Sequence, residues 1–381
     1  MKVGFITSEY PHPKVSHAAG IATSIKNLAV TLVKKGVEVT VFVYHQKENA
    51  VVVENGVEIH LIAKKSYKMF TWYRYRMLIQ NYVNTIVKEK NIDLLEAPDW
   101  TGITALMRFT VPLVIRFHGS DAYFCKLDGR KQKIKNFIFE RKALKMATAY
   151  IAPTTYAGVE TQKIFNLDKN KIKTIHYGLQ LEHFVNETPN TFNKNTILYI
   201  GTIIRKKGVL ELAEIFNKVV EQQPEAQLIL IGGDAPDIKT GSKSTYALVE
   251  QSFSEQAKKQ AKYLGKIPYS EVKEHIKNAQ VCTFPSFAET LGMVTIESMA
   301  LQKTVVNTSI GWAQELIDDG ISGYLVHPTK INEYADRLLN LLNNETLCLE
   351  IGKAARQKVE TTFNIEHNAE QNIAYYNSII K

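Results

Sequence analysis

Two glutamates flank a predicted helix start in the stretch FPSFAETLGMVTIESMA: Glu289 lies before it, and Glu297 lies about two turns into the helix. The preceding AQVCTFPS predicts a buried strand and FAETLG a turn. The backbone N–H groups of Thr290, Leu291 and Gly292 would then stand at a helix N-terminus, which favours anions. Each carboxylate can accept hydrogen bonds from a vicinal diol. The pattern predicts a ligand with phosphates at its centre and diols at both ends, which is the shape of a nucleotide sugar.

A group of cations follows another predicted strand, in YIGTIIRKKGVLEL. Gly201 ends the strand, and Arg205, Lys206 and Lys207 stand directly before Gly208 and an amphipathic helix. Cationic side chains and the positive end of a helix dipole attract a phosphate together. The GxxxxGK[ST] order of a P-loop is absent. We interpret this turn as a diphosphate site, and the alternative is a solvated basic turn.

Polar loops also follow two predicted strands in the first half of the chain. SEYPHPKVSHAAGIATS is long for a simple strand–helix loop and ends at Gly20, where a ligand can approach a helix N-terminus. RFHGSD places His118, Ser120 and Asp121 after the strand PLVIRF. No G-x-G-x-x-G follows any strand, so the dinucleotide fingerprint is absent. The alternatives are an ordinary connecting loop for the first segment and an exposed polar loop for the second.

The elements that must position these loops alternate along the chain. The predicted strands of the first half are KVGFITS, VEVTVFV, VEIHLIA, IDLLEA, PLVIRF, AYIAP and IKTIHYG. NETPNTFNKNT breaks the pattern and predicts a linker, after which TILYIGT, AQLILIGG, AKYLGK, AQVCTFP, KTVVNTS and GYLVHP resume it. Amphipathic helices separate the strands, which favours parallel sheets covered on both faces. The prediction is two doubly wound α/β domains in tandem, and ligands bind at the carboxyl ends of such strands.

Composition narrows the class of protein. The chain has 381 residues, 45% hydrophobic and 22% charged, which is typical of a globular protein of two domains. No run of 18 apolar residues predicts a membrane span, and MKVGFITSEY predicts a core strand rather than a signal peptide. The three cysteines lie far apart, which favours a reducing cytosol.

Charge is distributed unevenly. Residues 1–187 contain 27 Lys and Arg against 16 Asp and Glu, whereas residues 188–381 contain 20 against 22. The basic first half indicates an anionic partner, and the alternative is a solvated surface that happens to be basic.

Over essentially its whole length the chain resembles the family-4 glycosyltransferases of GT-B fold. The pieces that carry the resemblance are HAAGIATSIKNLA, RFHGSD, YIGTIIRKKGVLEL, PEAQLILIGG, FPSFAETLGMVTIESMA and GWAQELIDDGISGYLV. The resemblance implies an α/β fold of two Rossmann-like domains facing across a cleft. Residues 1–187 would bind the acceptor and residues 188–362 the donor, and the last helix, about 363–381, would cross back to the first domain.

The resemblance also implies roles for single residues. Glu297 would hold the ribose hydroxyls, Glu289 the transferred sugar and Lys207 the diphosphate. The predicted catalytic residues are His118, Arg205, Lys207 and Glu289. The predicted donor-binding residues are Gly20, Gly201, Thr202, Lys206, Lys266, Ile267, Thr290, Leu291, Gly292 and Glu297. The predicted acceptor-binding residues are Glu9, Tyr10, His12, His17, Ser120 and Asp121.

The chain departs from the family pattern at two places. Thr202 stands where the family often has an arginine, so Arg205 or Lys206 would supply the second cation. Ala18-Ala19-Gly20 replaces a pair of glycines in the first loop, which changes how closely the backbone can approach a ligand.

The activity implied by the resemblance is transfer of a sugar from a nucleoside diphosphate, UDP favoured over GDP, to a hydroxyl with retention of configuration. Arg205 and Lys207 would stabilise the leaving diphosphate, as a metal does elsewhere. The sequence contains no Asp-x-Asp, and we expect neither a metal nor another cofactor.

Two segments of the first half bear on the acceptor. MFTWYRYRMLIQNYV mixes aromatic residues with arginines, and KLDGRKQKIKNFIFERKALK contains eight basic residues against two acidic ones. Such mixtures suit an anionic membrane surface, although a solvated basic helix has the same composition. We expect a glycan or lipid-linked acceptor, and a cytoplasmic enzyme attached peripherally to the inner face of the membrane.

Other functions compete with this one. A sugar-nucleotide epimerase needs acid and base groups around the sugar, and a phosphorylase needs a cofactor-bearing lysine and a longer chain. A nucleic-acid-binding protein would suit the pI of 9.1, but no recognised motif appears. A binding-only protein is disfavoured because both glutamates and the cations are present. Hydrolysis of a nucleotide sugar would separate an enzyme from a binding protein.

Overall fold

The computed structural model describes residues 1–16 and 20–380, and the chain divides into two compact units. Unit 1 comprises Met1–Gln180 with Asn364–Lys381, and unit 2 comprises Leu181–Phe363. The predicted division lay at 187/188. Residues 183 and 184 go with unit 2 because Lys273 Nζ donates to the His183 carbonyl (2.9 Å) and Arg356 Nη1 to the Phe184 carbonyl (2.6 Å).

Unit 1 is built on an eight-stranded sheet. Its strands are β1 (Lys2–Thr7), β2 (Glu38–Gln46), β3 (Ala50–Glu54), β4 (Val57–Ala63), β5 (Leu94–Pro98), β6 (Leu113–Arg116), β7 (Ala149–Ala152) and β8 (Ile172–Thr174). The order is β3-β4-β2-β1-β5-β6-β7-β8, and every neighbouring pair is parallel except β3 and β4. The sequence prediction missed β3, although Asn55-Gly56, both at positive φ, forms the two-residue turn typical of a hairpin.

Helices connect the strands of unit 1. They are α1 (Gly20–Lys34), α2 (Thr71–Lys90), α3 (Asp121–Leu127), α4 (Ile134–Met146) and α5 (Thr155–Phe165). In α1, apolar residues at helical spacing, Ile25, Leu28, Ala29 and Leu32, are buried on one face. Val33, at the edge of that face, is half-buried.

Unit 2 contains a six-stranded sheet that is parallel throughout. Its strands are β9 (Thr196–Ile200), β10 (Gln227–Ile231), β11 (Ala261–Tyr263), β12 (Val281–Phe284), β13 (Thr304–Asn307) and β14 (Tyr324–Leu325), in the order β11-β10-β9-β12-β13-β14. Its helices are α6 (Val209–Gln222), α7 (Thr245–Ser252), α8 (Glu255–Gln260), α9 (Tyr269–Asn278), α10 (Met293–Ala300), α11 (Ile331–Asn343) and α12 (Glu345–Thr362). Two units with parallel sheets and covering helices confirm the predicted fold class.

The last helix, α13 (Ile365–Ile380), belongs to unit 1. Its Tyr376 hydroxyl donates to Glu96 Oε2 (2.6 Å), and its Asn372 Oδ1 accepts from Arg116 Nη2 (2.6 Å). Arg116 Nε also donates to Glu96 Oε1 (2.7 Å), so the buried guanidinium and carboxylate neutralise each other. This network joins α13 to the middle of the sheet of unit 1.

Each sheet has one place where the strand order reverses. In unit 1 the chain passes outward from β1 to β2 on one side and resumes with β5 on the other. In unit 2 the corresponding pair is β9 and β12. In open α/β sheets, ligands bind outside the carboxyl ends of the strands at such a switch point. The loops after these four strands are therefore where a site is expected in each unit.

Candidate functional site

The loops after β9 and β12 are held together at the switch point of unit 2. Gly208 has φ 69°, and a Cβ at this position would overlap the carbonyl oxygen of Pro285. The Phe287 N–H donates to the Lys206 carbonyl at 2.8 Å. A glycine is needed because only a residue without Cβ allows this approach in this conformation. The contact fixes the loop of the cations against the loop of Glu289.

Lys207 and Glu289, two of the predicted catalytic residues, consequently meet. Lys207 Nζ contacts Glu289 Oε1 as an ion pair, and the side chains are 21% and 18% exposed. The Ser286 hydroxyl also lies 3.5 Å from Glu289 Oε1. A partly exposed ion pair of this kind presents both charges to a ligand at the end of the sheet.

The predicted donor-binding backbone starts helix α10. Gly292, at φ 94° and ψ 65°, caps this helix without a side-chain hydrogen bond, and its first turn contains no acidic residue. The side chain of Leu291 is buried in the core, so this residue could offer a ligand only its backbone. Thr290 is half-buried beside it. The N-terminus of α10 thus opens next to the Lys207–Glu289 pair, where an anion is favoured.

Glu297 lies on α10 and accepts a hydrogen bond from the Tyr269 hydroxyl at 2.8 Å. Burial raises the pKa of Glu297 to about 7, and Tyr269 and Lys273 oppose that rise. This carboxyl therefore titrates near neutral pH. Tyr269 and Lys273, both on α9, were not predicted from the sequence.

Arg205 has a different environment from Lys207. Its Nε and Nη2 donate to the two carboxylate oxygens of Asp237 at 2.9 and 2.8 Å. These hydrogen bonds hold the pKa of the buried Asp237 carboxyl well below its usual range. The guanidinium charge is thus opposed by a carboxylate that the sequence prediction did not include. Lys206 is half-buried, and its carbonyl accepts the hydrogen bond from Phe287.

The remaining residues of unit 2 that were predicted to bind the donor lie at the carboxyl ends of the strands of the same sheet. A Cβ at Gly232 would overlap the Gly201 carbonyl oxygen, and the Gly232 N–H donates to the Gly265 carbonyl (2.8 Å), so the ends of β9, β10 and β11 are in close contact. Thr202 is exposed directly after Gly201. Lys266 is exposed and Ile267 half-buried, following Gly265.

His118 lies in unit 1, after β6. Its Nδ1 lies 2.7 Å from the Tyr177 hydroxyl, whose ring stacks on the imidazole with centroids 5.4 Å apart. Burial, with a smaller effect of Arg116, lowers the pKa of His118 to about 3. His118 is therefore neutral at physiological pH. When the Tyr177 hydroxyl donates to Nδ1, Nε2 carries the imidazole proton and can donate to a ligand; when the hydroxyl donates instead to the Phe117 carbonyl (3.2 Å), Nδ1 carries the proton.

Asp99, which the sequence prediction missed, supports the loop of His118. Its Oδ1 accepts the His118 N–H at 2.9 Å, while Oδ2 is buried with no hydrogen-bond partner in the described part of the chain. Burial raises the pKa of Asp99 to about 7. An acidic residue directly after the buried strand LLEAP was the available signal, because packing alone does not call for a carboxyl there.

Ser120 and Asp121 both have local structural roles at the start of α3, and their acceptor-binding role stays a prediction. The Ser120 hydroxyl is buried and caps α3 by accepting from the Tyr123 N–H at 3.1 Å. Asp121 Oδ2 accepts from Asn136 Nδ2 at 3.1 Å, and the Asp121 N–H donates to the buried Glu140 at 2.8 Å. These hydrogen bonds stabilise the start of α3.

The other acceptor predictions fall on the loop after β1. Glu9 is buried and Tyr10 is a fully buried residue of the core, and their acceptor-binding role stays a prediction. His12 is half-buried and accepts the Lys14 N–H at 3.1 Å. His17 lies outside the described residues. Gly20 begins α1, and no atom of the described residues lies within 4 Å of its Cβ position.

Within 1–16 and 20–380, no group of three or more His, Cys, Asp or Glu side chains is arranged to hold a metal ion. Over the same residues, no helix combines the length and apolar character that crossing a membrane requires.

Comparison with known proteins places the chain among enzymes. The model of "Glycosyltransferase Family 4" matches residues 18–183 and that of "Glycosyl transferases group 1" matches residues 182–358. A curated relative, an uncharacterized glycosyltransferase of Methanocaldococcus jannaschii, is 26% identical over 94% of this chain and 93% of its own. The capsular polysaccharide biosynthesis glycosyltransferase CapM of Staphylococcus aureus is 27% identical over 59% of this chain and 53% of its own.

Solved structures agree on the fold. Sucrose-phosphate synthase of Thermosynechococcus elongatus superimposes with a TM-score of 0.80 at 18% identity, covering 99% of this chain and 98% of its own. Anabaena HepE, solved in complex with UDP, has a TM-score of 0.75 at 16% identity and covers 99% and 100% of the two chains. The chain belongs to the family-4 glycosyltransferases and has the GT-B fold, as its sequence motifs predicted.

Proposed function

We propose that this glycosyltransferase transfers a sugar from a nucleoside diphosphate, with UDP preferred to GDP, to a hydroxyl of a glycan or lipid-linked acceptor with retention of configuration. The observation that carries the proposal is the Lys207–Glu289 pair beside the open N-terminus of α10. A cation and a helix N-terminus suit a diphosphate, and a carboxylate suits sugar hydroxyls.

The donor would replace contacts that the site makes within itself. A diphosphate can take Lys207 as its counter-ion, which releases Glu289 to accept from hydroxyls of the transferred sugar. Glu297 would accept from the ribose hydroxyls when it is ionised. HepE was solved with UDP, with UDP and glucose, and with UDP-glucose, and this supports UDP as the carrier for a protein of the same fold.

The proposed reaction breaks the bond between the sugar C1 and the leaving phosphate oxygen and forms a bond from C1 to the acceptor oxygen. The acceptor proton passes to the departing phosphate oxygen on the same face. The protein then acts mainly by positioning and by stabilising charge, with Lys207 nearest the developing negative charge. His118 keeps its predicted contact with the sugar, as a neutral hydrogen-bond donor. No metal takes part in this scheme.

Peripheral attachment to the inner face of the cytoplasmic membrane remains part of the proposal. Four side chains at the start of α2, those of Met69, Phe70, Trp72 and Tyr73, are exposed, and α4 exposes Ile134 and Ile138 within its basic segment. Apolar side chains among lysines and arginines suit an anionic lipid surface. The similarity to CapM supports cell-surface polysaccharide synthesis as the setting.

The test is slow donor hydrolysis without acceptor, across UDP- and GDP-linked sugars, with and without EDTA. Selective hydrolysis of one UDP-sugar that EDTA leaves unchanged, and that both Lys207→Ala and Glu289→Ala abolish, is the expected result. Absence of hydrolysis and of thermal stabilisation by every donor would overturn the proposal. An EDTA-sensitive rate would overturn its metal-free part.

A further inference from the structure

Unit 1 contains a pocket of about 350 Å³ at its own switch point. Thr7 and Ser8 at the end of β1, Pro98 at the end of β5 and His45 on β2 line it, and α2 closes it with Trp72, Tyr75 and Arg76. Its position is that of the ligand sites of open α/β sheets, and its volume is that of a small-molecule site. All of its lining residues belong to unit 1.

The pocket is positively charged. Lys64, Lys65 and Arg76 line it, and its described lining residues include no aspartate or glutamate. The half-buried Arg76 donates to the carbonyls of Ile103 (3.1 Å), Trp72 (3.2 Å) and Gly102 (3.4 Å). Across residues 1–16 and 20–380, no carboxylate forms an ion pair with any of these three side chains.

Arg116, a buried arginine of the same unit, is paired with a carboxylate, unlike Arg76. It is neutralised by Glu96, whereas Arg76 has only dipoles and the ring of Phe139, whose centroid lies 4.6 Å from its Cζ. Burial lowers the pKa of Arg76, which reflects the cost of holding the charge there. A charge removed from water without a counter-ion is unfavourable, and an anionic ligand would supply the missing partner.

Flat aromatic surfaces face the same space. The His45 and Tyr75 rings stack with centroids 5.0 Å apart and an interplanar angle of 9°. Trp72 and Trp100 line the pocket and are both exposed by more than two fifths. Burial, aided by Lys64 and Arg76, lowers the pKa of His45, so its imidazole is neutral. Aromatic faces of this kind suit the apolar face of a sugar ring, whose hydroxyls can reach Thr7, Ser8 and Thr71.

Backbone strain is concentrated around the pocket. Among the described residues other than glycine and asparagine, five have positive φ, and two of these, His45 (64°) and Thr101 (60°), line it. A third, Phe70 (53°), directly precedes the lining residue Thr71. The pairing of β2 with β4 shifts register between Val43 and Gln46, which re-aims the intervening side chains. Strained residues persist where their orientation is used, commonly at ligand sites.

We propose that this pocket binds the acceptor as a phosphorylated sugar, with the aromatic faces against the sugar ring and Lys64, Lys65 and Arg76 against the phosphate. This inference rests on the proposed function. The phosphate can belong to a free sugar phosphate or to a diphosphate that links the sugar to a lipid, and both present the same chemistry to the pocket.

The test is titration calorimetry with glucose, glucose 1-phosphate, glucose 6-phosphate, inorganic phosphate and farnesyl diphosphate-linked N-acetylglucosamine. At least one phosphorylated sugar is expected to bind at least about tenfold more tightly than both glucose and inorganic phosphate. Comparing the affinity for the lipid-linked probe with the affinities for the two free sugar phosphates identifies the source of the phosphate. Equal affinity for glucose and every phosphorylated probe, or phosphate binding as tightly as the best sugar phosphate, would overturn the inference.

Variants assign the binding to the pocket. Arg76→Met and Lys64→Met should each weaken binding of the phosphorylated sugar at least about fivefold. Lys64 is exposed, so Lys64→Met tests the pocket even if the half-buried Arg76→Met fails to fold. Arg74→Met is the matched control on the same helix, because Arg74 does not line the pocket. A loss in Arg74→Met equal to that in Lys64→Met would overturn the assignment.

UDP-glucose binding and hydrolysis should remain unchanged in all three variants. If UDP-glucose still binds but no phosphorylated sugar does, the pocket inference is wrong while the proposed function stands. If no donor binds to the unmodified protein, the proposed function fails.

Discussion

The two switch points of the molecule share a topology and differ in how they hold charge and strain. At the switch point of unit 2, Lys207 and Arg205 each form an ion pair with a carboxylate. The residues with positive φ after strands β9 to β12 are glycines, which adopt this conformation without strain. At β1 and β5 in unit 1, three cations lack carboxylate partners among the described residues, and the strained positions are His45 and Thr101. In the unit 2 site, carboxylates of the protein neutralise the cations and the backbone is unstrained. In the unit 1 pocket the cations have no carboxylate partner among the described residues, and His45 and Thr101 have strained backbones.

This difference indicates what each site requires from its ligand. A ligand at the unit 2 site exchanges one ion pair for another, which suits a diphosphate that must bind and then leave. A ligand in the unit 1 pocket adds the missing charge. The comparison predicts that substitutions in unit 2 act on donor binding and turnover, and that those in the unit 1 pocket act on binding of the second substrate.

The largest effect is expected from loss of the ammonium group in unit 2. Lys207→Ala should lower donor turnover about 10²–10³-fold, because a group aimed at the developing charge is removed. Arg205→Ala should lower it less than about tenfold, since Asp237 already opposes that charge. Rates of hydrolysis of the preferred UDP-sugar measure both, and an Arg205 effect as large as that of Lys207 would contradict the assignment.

A second large effect concerns the contact between the two loops of unit 2. Gly208→Ala should lower the free energy of unfolding by about 3 kcal/mol and abolish donor binding, because the new Cβ overlaps the Pro285 carbonyl at positive φ. Urea unfolding and UDP-glucose titration measure these changes. Gly233→Ala is the control, since nothing lies within 4 Å of its Cβ position. Equal losses in both variants would show that the Gly208–Pro285 contact is not the cause.

A smaller effect should follow pH. Glu297, with a pKa raised to about 7, can accept from both ribose hydroxyls as a charged carboxylate only when ionised, so affinity should fall as pH drops through 7. Between pH 8 and pH 6 the Kd for UDP-glucose should rise about tenfold. UDP-glucose is the suitable probe because its diphosphate does not titrate in this range. Glu297→Gln should bind weakly with a Kd independent of pH, and an unchanged pH dependence in this variant would assign the titration to another group.

The smallest effect tests the strain in unit 1. Thr101→Gly should raise the free energy of unfolding by about 1 kcal/mol, because a β-branched residue is unfavourable at φ 60° and glycine is not. Thermal and urea unfolding measure the gain. Thr104→Gly, at a buried position without positive φ, should instead be destabilising. A loss of stability in Thr101→Gly would mean that the Thr101 side chain makes contacts that outweigh its backbone strain.

The sequence predicted features that local pattern determines. The strands and their alternation follow from short apolar runs. Lys207 and Glu289 were assigned to one ligand through the family resemblance, and their direct ion pair was not predicted. Side-chain partners distant in sequence were not predicted. Asp237 lies 32 residues from Arg205, and Tyr269 reaches Glu297 only because α9 and α10 are brought together by the fold.

The unit 1 pocket was beyond sequence reasoning for a related reason. Its lining comes from β1, β2, β5 and α2, and no local motif connects these segments. The aromatic and arginine-rich stretch at α2 was interpreted as an anionic membrane surface bearing on the acceptor, with a solvated basic helix as the alternative. The structure shows that Trp72, Tyr75 and Arg76 of this stretch line the pocket, while Met69, Phe70 and Tyr73 are exposed.

Hydrogen exchange in the presence of UDP-glucose tests most directly whether the two switch points take different ligands. We predict slower exchange in peptides covering 201–210 and 285–296, and unchanged exchange in peptides covering 43–47 and 98–104. Protection of the unit 1 peptides by the donor, with no change at 201–210 and 285–296, would contradict the account.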